Sequence, residues 1–284
     1  MSLNKENIEA IYPLSPMQEG MLFHSLVEDR TGAYFEQYCC TYQGSFDVAV
    51  FQEAWAQVIE RHPVLRTLVM WEREDKALQV VRKQVTPAWE VQDWRGQSQE
   101  QIATQLELFL QEDRARGFDL TKAPLARFAV FRLADDAQRF VWSFHHLLLD
   151  GWSVPLILNE VYAYYQGLLN GDEVAIKRPR PYRDYISWLQ KQDLPKAETF
   201  WKERLRGYDT PARIPTSSGS GPTPGAQVEY RNQAAYLSEE TTATLKTLAR
   251  DQKLTLNTIA QGAWSLLISR YSGSDDVVFG STVS

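Results

Sequence analysis

The chain has 284 residues, 44 % hydrophobic, 23 % charged and 12 % aromatic, with a formal net charge of -6. That balance suits one or two globular domains with a sizeable, ring-rich core, and the acidic excess points away from a nucleic-acid binder, which carries a basic patch. No apolar run reaches the roughly 18 residues of a membrane helix, the polar opening residues do not read as a signal peptide, and the only cysteines, Cys39 and Cys40, are neighbours that form no disulfide or zinc framework and suit a reducing cytoplasm.

Ser15-Pro16-Met17-Gln18 predicts a helix start, with Ser15 and Gln18 as a capping box and Pro16 in the first turn, running to residue 27. Residues 34–42 read as a strand of aromatics and Thr. Asp47 caps a second helix whose Val50, Phe51, Ala54, Trp55, Val58 and Ile59 recur at three- and four-residue steps. Strands are expected over 65–71 and 78–85. A capping box from Ser98 to Gln101 opens a third helix carrying Ile102, Leu106, Phe109 and Leu110. Residues 125–133 and 139–146 predict adjacent strands around a turn at Asp135-Asp136. Helices follow over 153–169, 182–191 and 195–205. Residues 207–226, rich in Gly, Pro, Ser and Thr, predict a flexible connector. Beyond it come a strand over 228–237, helices capped by Ser238 and Thr255, and a strand over 277–283. The mixture gives an α/β or α+β class.

The chemistry-bearing stretch is Phe144-His145-His146-Leu147-Leu148-Leu149-Asp150-Gly151-Trp152-Ser153, where a strand ends and a helix begins. Side chains alternate along a strand, so His145 points opposite to His146, and His146 shares a face with Phe144 and Trp142. Asp150-Gly151 forms the turn, Ser153 caps the helix, and Gly151 permits a tight bend and close approach of a substrate. A His pair at a strand end is more often structural or exposed than catalytic. Opposed imidazoles do not converge on a metal ion, and no further His or Cys lies nearby in sequence, so no metal is expected. Arg61 and Arg66, either side of His62-Pro63, read by themselves as surface ion-pair partners, and His24 as polar surface filling.

His145-His146-x-x-x-Asp150-Gly151 resembles the HHxxxDG signature of condensation domains of nonribosomal peptide synthetases, shared more loosely with chloramphenicol acetyltransferase-like acyltransferases. Three other stretches resemble the family's first, second and fourth motifs. They are Ser15-Pro16-Met17-Gln18-Glu19-Gly20-Met21-Leu22-Phe23-His24-Ser25-Leu26, Arg61-His62-Pro63-Val64-Leu65-Arg66-Thr67 and Tyr182-Arg183-Asp184-Tyr185-Ile186-Ser187-Trp188. They occur in order from about residue 11 onward. Leu149, where many relatives carry Ser, and Phe144, where Met is common, are small departures that remove no reactive group.

The resemblance implies two acetyltransferase-like lobes around a tunnel. Residues 1–175 would supply the N-terminal lobe, 176–227 a helical connector and linker, and 228–284 the beginning of the second lobe. It implies peptide-bond formation between donor and acceptor thioesters. No cofactor would be bound by the domain itself; phosphopantetheine arms of upstream and downstream carrier domains would deliver the substrates, beside a neighbouring adenylation domain. No nucleic-acid or membrane partner is implied. His146 would be the catalytic residue, as a base or a positioning group for the attacking amine. Asp150 would hold local geometry through an ion pair with an arginine, and Gly151 would border the pocket, with Trp152 and Ser153 completing the motif. His145, Arg61 and Arg66 would be structural supports. The opening motif looks like that of domains accepting a D-configured donor. Two alternatives stay open: a non-catalytic relative that recruits a partner enzyme, and an epimerisation domain. The intact His pair argues against the first and the wording of residues 17–24 against the second.

Overall fold

Side-chain caps set where the helices begin. Ser15 Oγ accepts from the Gln18 backbone N–H at 3.2 Å while Gln18 Oε1 accepts from that of Ser15 at 3.0 Å, which starts α1 (Pro16–Val27). Asp47 accepts from the backbone N–H groups of Ala49 and Val50 and starts α2 (Val48–Arg61). Ser98 and Gln101 form the capping box of α3 (Gln99–Arg116). Helices α4 (Ser153–Asn170), α5 (Tyr182–Leu189) and α6 (Leu194–Arg204) follow, and Ser238 and Thr255 cap α7 (Glu239–Asp251) and α8 (Leu256–Ser272). The computed structural model describes residues 5–27, 32, 34–71, 76–209 and 234–281.

The described strands are β1 (Ile8–Pro13), β2 (Phe35–Gln43), β3 (Thr67–Met70), β4 (Leu78–Arg82), β5 (Ala88–Asp93), β6 (Ala126–Ala134) and β7 (Ala137–His145). They form a three-stranded sheet, β1-β4-β3, and a mixed four-stranded sheet, β2-β7-β6-β5. The β6–β7 hairpin is antiparallel around Asp135-Asp136, whereas β5 and β6 run parallel because α3 makes the crossover between them.

Alternation on β7 decides both faces of the larger sheet. Phe140, Trp142 and Phe144 pack with Phe51, Trp55, Val58, Ile157, Val161 and Tyr165 of α2 and α4. Val141 joins Trp94, Ala129, Phe131 and Ile102 of α3 on the other face. Covering both faces of a sheet with helices gives the expected mixed α/β layering.

The chain divides into two compact units, residues 1–192 and 193–284. Helix α5, assigned to a connector by the sequence reading, belongs to the first unit: Ile186 is buried with Tyr12 of β1 and Val81 of β4. The strand expected over 65–71 opens instead as a 3-10 turn, Pro63–Arg66, because Pro63 suits a first turn and the buried Arg66 bonds backward to the Ile59 carbonyl. Strands β1 and β5 were not expected; both are short, and mostly half-exposed or exposed, so their apolar pattern is weak. The strands expected over 228–237 and 277–283 lie partly outside the described residues. Their described parts, 234–237 and 277–281, are irregular. Most of the expected 207–226 connector lies outside the described residues.

Candidate active site

β7 carries the His pair to the end of the larger sheet. His145 is its last residue and pairs with Phe35 of β2, so the strand ends one residue earlier than the expected 146 and His146 already stands in the turn beyond. Its backbone N–H donates to the Tyr34 carbonyl at 2.8 Å.

The two rings meet different surroundings. His145 is 5 % exposed. Its Nδ1 accepts from the Leu147 backbone N–H at 3.1 Å, so the neutral ring carries its proton on Nε2, 3.3 Å from Ser25 Oγ. The Ser25 hydroxyl in turn donates to the Met21 carbonyl at 2.7 Å. Burial, and to a lesser degree His146, push the His145 pKa down to about 4. His145 is therefore neutral and held in the interior. The His146 ring is half-buried and stands edge-on to Tyr34, with centroids 6.5 Å apart.

Asp150 departs from expectation. It is exposed, and among the described residues no arginine pairs with it. Its Oδ1 accepts from Ser153 N–H at 2.8 Å and Ser153 Oγ at 2.6 Å. Burial tends to raise its pKa, but hydrogen bonds from the Ser153 hydroxyl and from nearby backbone N–H groups outweigh that and lower it. Asp150, and not Ser153, thus holds the start of α4. Ser153 lies within the first turn, after a Trp152 that makes no side-chain cap. Gly151 is absent from the positive-φ positions, and a Cβ there would meet nothing within 4 Å, so the turn itself does not demand glycine. Trp152 is 72 % exposed.

Neither arginine is a loose surface partner. Arg66 is buried and donates to the carbonyls of Ile59, Glu60, Arg82 and Lys83 and to Glu9 Oε2, tying α2 to β1 and β4. Arg61 Nε donates to Glu160 Oε2 at 2.9 Å, and His62 Nε2 lies 2.7 Å from the same oxygen, joining α2 to α4. Arg61 also donates to the Ile176 and Lys177 carbonyls. His24 is exposed against Phe23 and Tyr34.

Gln18 does more than cap α1. Its Nε2 donates to the Leu147 carbonyl at 2.9 Å, inside the His loop, and its amide pairs reciprocally with that of Gln79 on β4, a residue 1 % exposed. The Tyr182 hydroxyl lies 3.5 Å from Gln18 Oε1. Three of the sequence stretches singled out therefore meet at one glutamine. Gln79 escaped the sequence reading; its signal is a polar residue inside the apolar run Leu78-Gln79-Val80-Val81. Two cavities of about 250 and 530 Å³ are lined by other residues, the first around Asp113, Arg127 and Ser143 and the second around Asp47, Arg132 and Gln138. His146 borders neither. Among the described residues, no group of three or more His, Cys, Asp or Glu is placed to hold a metal ion.

The condensation-domain family profile matches residues 8–284. This chain belongs to the condensation-domain family. A linear gramicidin synthase protein of Brevibacillus parabrevis is 45 % identical over 279 residues, which are 98 % of this chain and 5 % of that protein. Bacitracin synthase 3 of Bacillus licheniformis is 38 % identical over 283 residues, 99 % of this chain and 4 % of that protein. The condensation chain thus spans about one-twentieth of such relatives. In fold it is similar to the starter condensation domain of the rhizomide synthetase in a product-released conformation. The TM-score is 0.77 at 21 % identity, over 94 % of this chain and 60 % of that one. It is also similar to the cyclization-docking bidomain of the EpoB synthetase from Sorangium cellulosum, with a TM-score of 0.74 at 23 % identity, over 97 % of this chain and 55 % of that one. Among the described residues no helix is long and apolar enough to cross a membrane.

Proposed function

We propose that the condensation domain to which this chain belongs forms a peptide bond between two thioesters held on phosphopantetheine arms of flanking carrier domains. The acceptor nitrogen bonds to the donor carbonyl carbon, the carbon–sulfur bond breaks, and the carrier thiol leaves with a proton in place of the one the nitrogen gives up. The observation that carries this reading is the division of labour in the His pair: His145 is locked neutral in the interior while His146, at the strand end, keeps an accessible imidazole. An imidazole suits proton transfer or amine positioning near neutral pH, and alignment of the two arms supplies much of the rate. Open space at Gly151 suits close approach of an arm. The proposed setting is the cytoplasm, where the free thiols of Cys39 and Cys40 stay reduced.

The test is a condensation assay with loaded carriers on the intact domain and its His146→Ala variant. General-base loss lowers turnover by roughly 10²- to 10⁴-fold, with an unchanged melting curve; parental turnover in the variant sinks the assignment. The wording of residues 17–24 supports a D-configured donor, so D-loaded carriers should outperform their L-loaded counterparts. The 284-residue chain alone should not turn over, because the tunnel implied by the family resemblance needs two complete lobes. Rates near those of the intact domain would overturn that expectation.

A further inference from the structure

His146 is the first residue beyond β7. Among the described residues its imidazole makes no side-chain hydrogen bond, and the one ring it meets is Tyr34. Tyr34 touches His146 twice. Its carbonyl accepts the His146 backbone N–H at 2.8 Å, adding a rung after the Phe35–His145 pair, and its ring stands at 89° to the imidazole with centroids 6.5 Å apart. The same ring lies 6.4 Å from both His24 and His145.

The backbone at Tyr34 is unusual. Its φ is 62°, and among the described residues only one other non-glycine, Lys253, has a positive φ. A bulky residue there is strained; glycine or asparagine would take the left-handed conformation at less cost. Strain of this kind persists where the surroundings impose it, and it concentrates at functional sites. The left-handed turn brings both the carbonyl and the ring of one residue against His146. The phenol hydroxyl makes no hydrogen bond among the described residues, so the aromatic ring is the part in use.

We infer that Tyr34 is a positioning residue for the His146 imidazole, fixing its backbone through the carbonyl and its ring through edge-on contact. The inference rests on the function proposed for His146. Reacting groups held in place lose heavily when displaced by about an ångström, and an imidazole with no hydrogen-bonded partner depends on such a contact.

Tyr34→Phe keeps the ring, and Tyr34→Asn removes it while tolerating the left-handed backbone. In the intact domain with loaded carriers, Tyr34→Phe should keep parental turnover. Tyr34→Asn should lose about 10- to 100-fold in kcat with KM unchanged, and should melt no lower than the parent because strain is relieved. Parental kcat in Tyr34→Asn, an equal loss in Tyr34→Phe, or a loss explained by a lower Tm would each overturn the inference. A second measurement does not depend on turnover. In the 284-residue chain with labelled histidine, the His146 ring signals, assigned by their absence in His146→Ala, should shift and broaden in Tyr34→Asn and stay put in Tyr34→Phe. Unchanged signals in Tyr34→Asn overturn the inference. An intact parent domain that forms no product overturns the proposed function instead, and the ring signals still decide the role of Tyr34.

Discussion

His145 and His146 are consecutive, yet one is interior and the other half-buried, and that difference is measurable. A His whose folded pKa lies below its unfolded value of about 6.5 contributes stability above that unfolded pKa and loses it as pH falls toward the folded value. For His145, at about 4, the window runs from pH 6.5 down to 4. The loss across it should be about 3 kcal/mol. Urea melts at pH 7, 6, 5 and 4.5 should follow this course. In His145→Asn, whose side-chain oxygen can still accept from Leu147 N–H, the dependence should flatten; an equally steep profile would place the titration elsewhere. Asp150 calls for a smaller effect than a buried ion pair would. As an exposed acceptor at the start of α4 it resembles a helix cap, so Asp150→Ala should cost about 1 kcal/mol and leave a soluble protein. A drop of several kcal/mol in the denaturant melt would point to a charge partner.

Helix starts were legible because capping is local: the Ser15, Asp47, Ser98, Ser238 and Thr255 caps each act within four residues. Strand pairing was less legible, since β1 reaches β4 across some seventy positions and neither carries a pattern naming its partner. The anchor of α3 to the sheet was also hidden. Asp113, 3 % exposed, accepts from Arg127 and Ser143 at 2.5 Å, from Arg116 at 2.7 Å and from Gln37 at 3.2 Å, joining α3 to β2, β6 and β7. Burial raises its pKa, but the bonds from Ser143, Arg116 and Arg127 outweigh this and hold it below the ordinary value. Burial also draws Arg127 down, though a guanidinium stays charged throughout the working range. The carboxylate is therefore the partner that titrates. Its contribution is present above the unfolded pKa of about 3.9 and lost below it, a more acidic window than that of His145. Asp113→Ala leaves Arg127 uncompensated and should cost about 3–5 kcal/mol. Chemical denaturation at neutral pH checks this, and a loss under 1 kcal/mol would show the cluster to be slack.

The two units differ in what they bury. Residues 1–192 enclose a four-stranded sheet between helices on both faces. In residues 193–284, Phe200, Trp201, Trp264, Leu266 and Tyr271 are exposed, and the described part contains helices without a strand. Residues 1–192 expressed alone should therefore unfold in one cooperative transition at the Tm of the corresponding transition in the whole chain. Residues 193–284 alone should bind a hydrophobic dye and melt without cooperativity. Calorimetry and dye fluorescence on the two pieces check this; a non-cooperative first unit would mean that its core depends on the second.

The amino-acid sequence by itself determined the family and the helix starts, because motifs and caps are properties of adjacent residues. Only the tertiary structure decided which groups those residues serve. Gln18 reaches Leu147 and Gln79, Asp150 turns to Ser153 and not to an arginine, and Tyr34 meets His146. For Gln18 and Tyr34 the partner lies tens of residues away and is chosen by sheet register and burial. For Asp150, three residues from Ser153, the choice depends on an exposed site with no arginine beside it among the described residues, and local spacing carries no record of that.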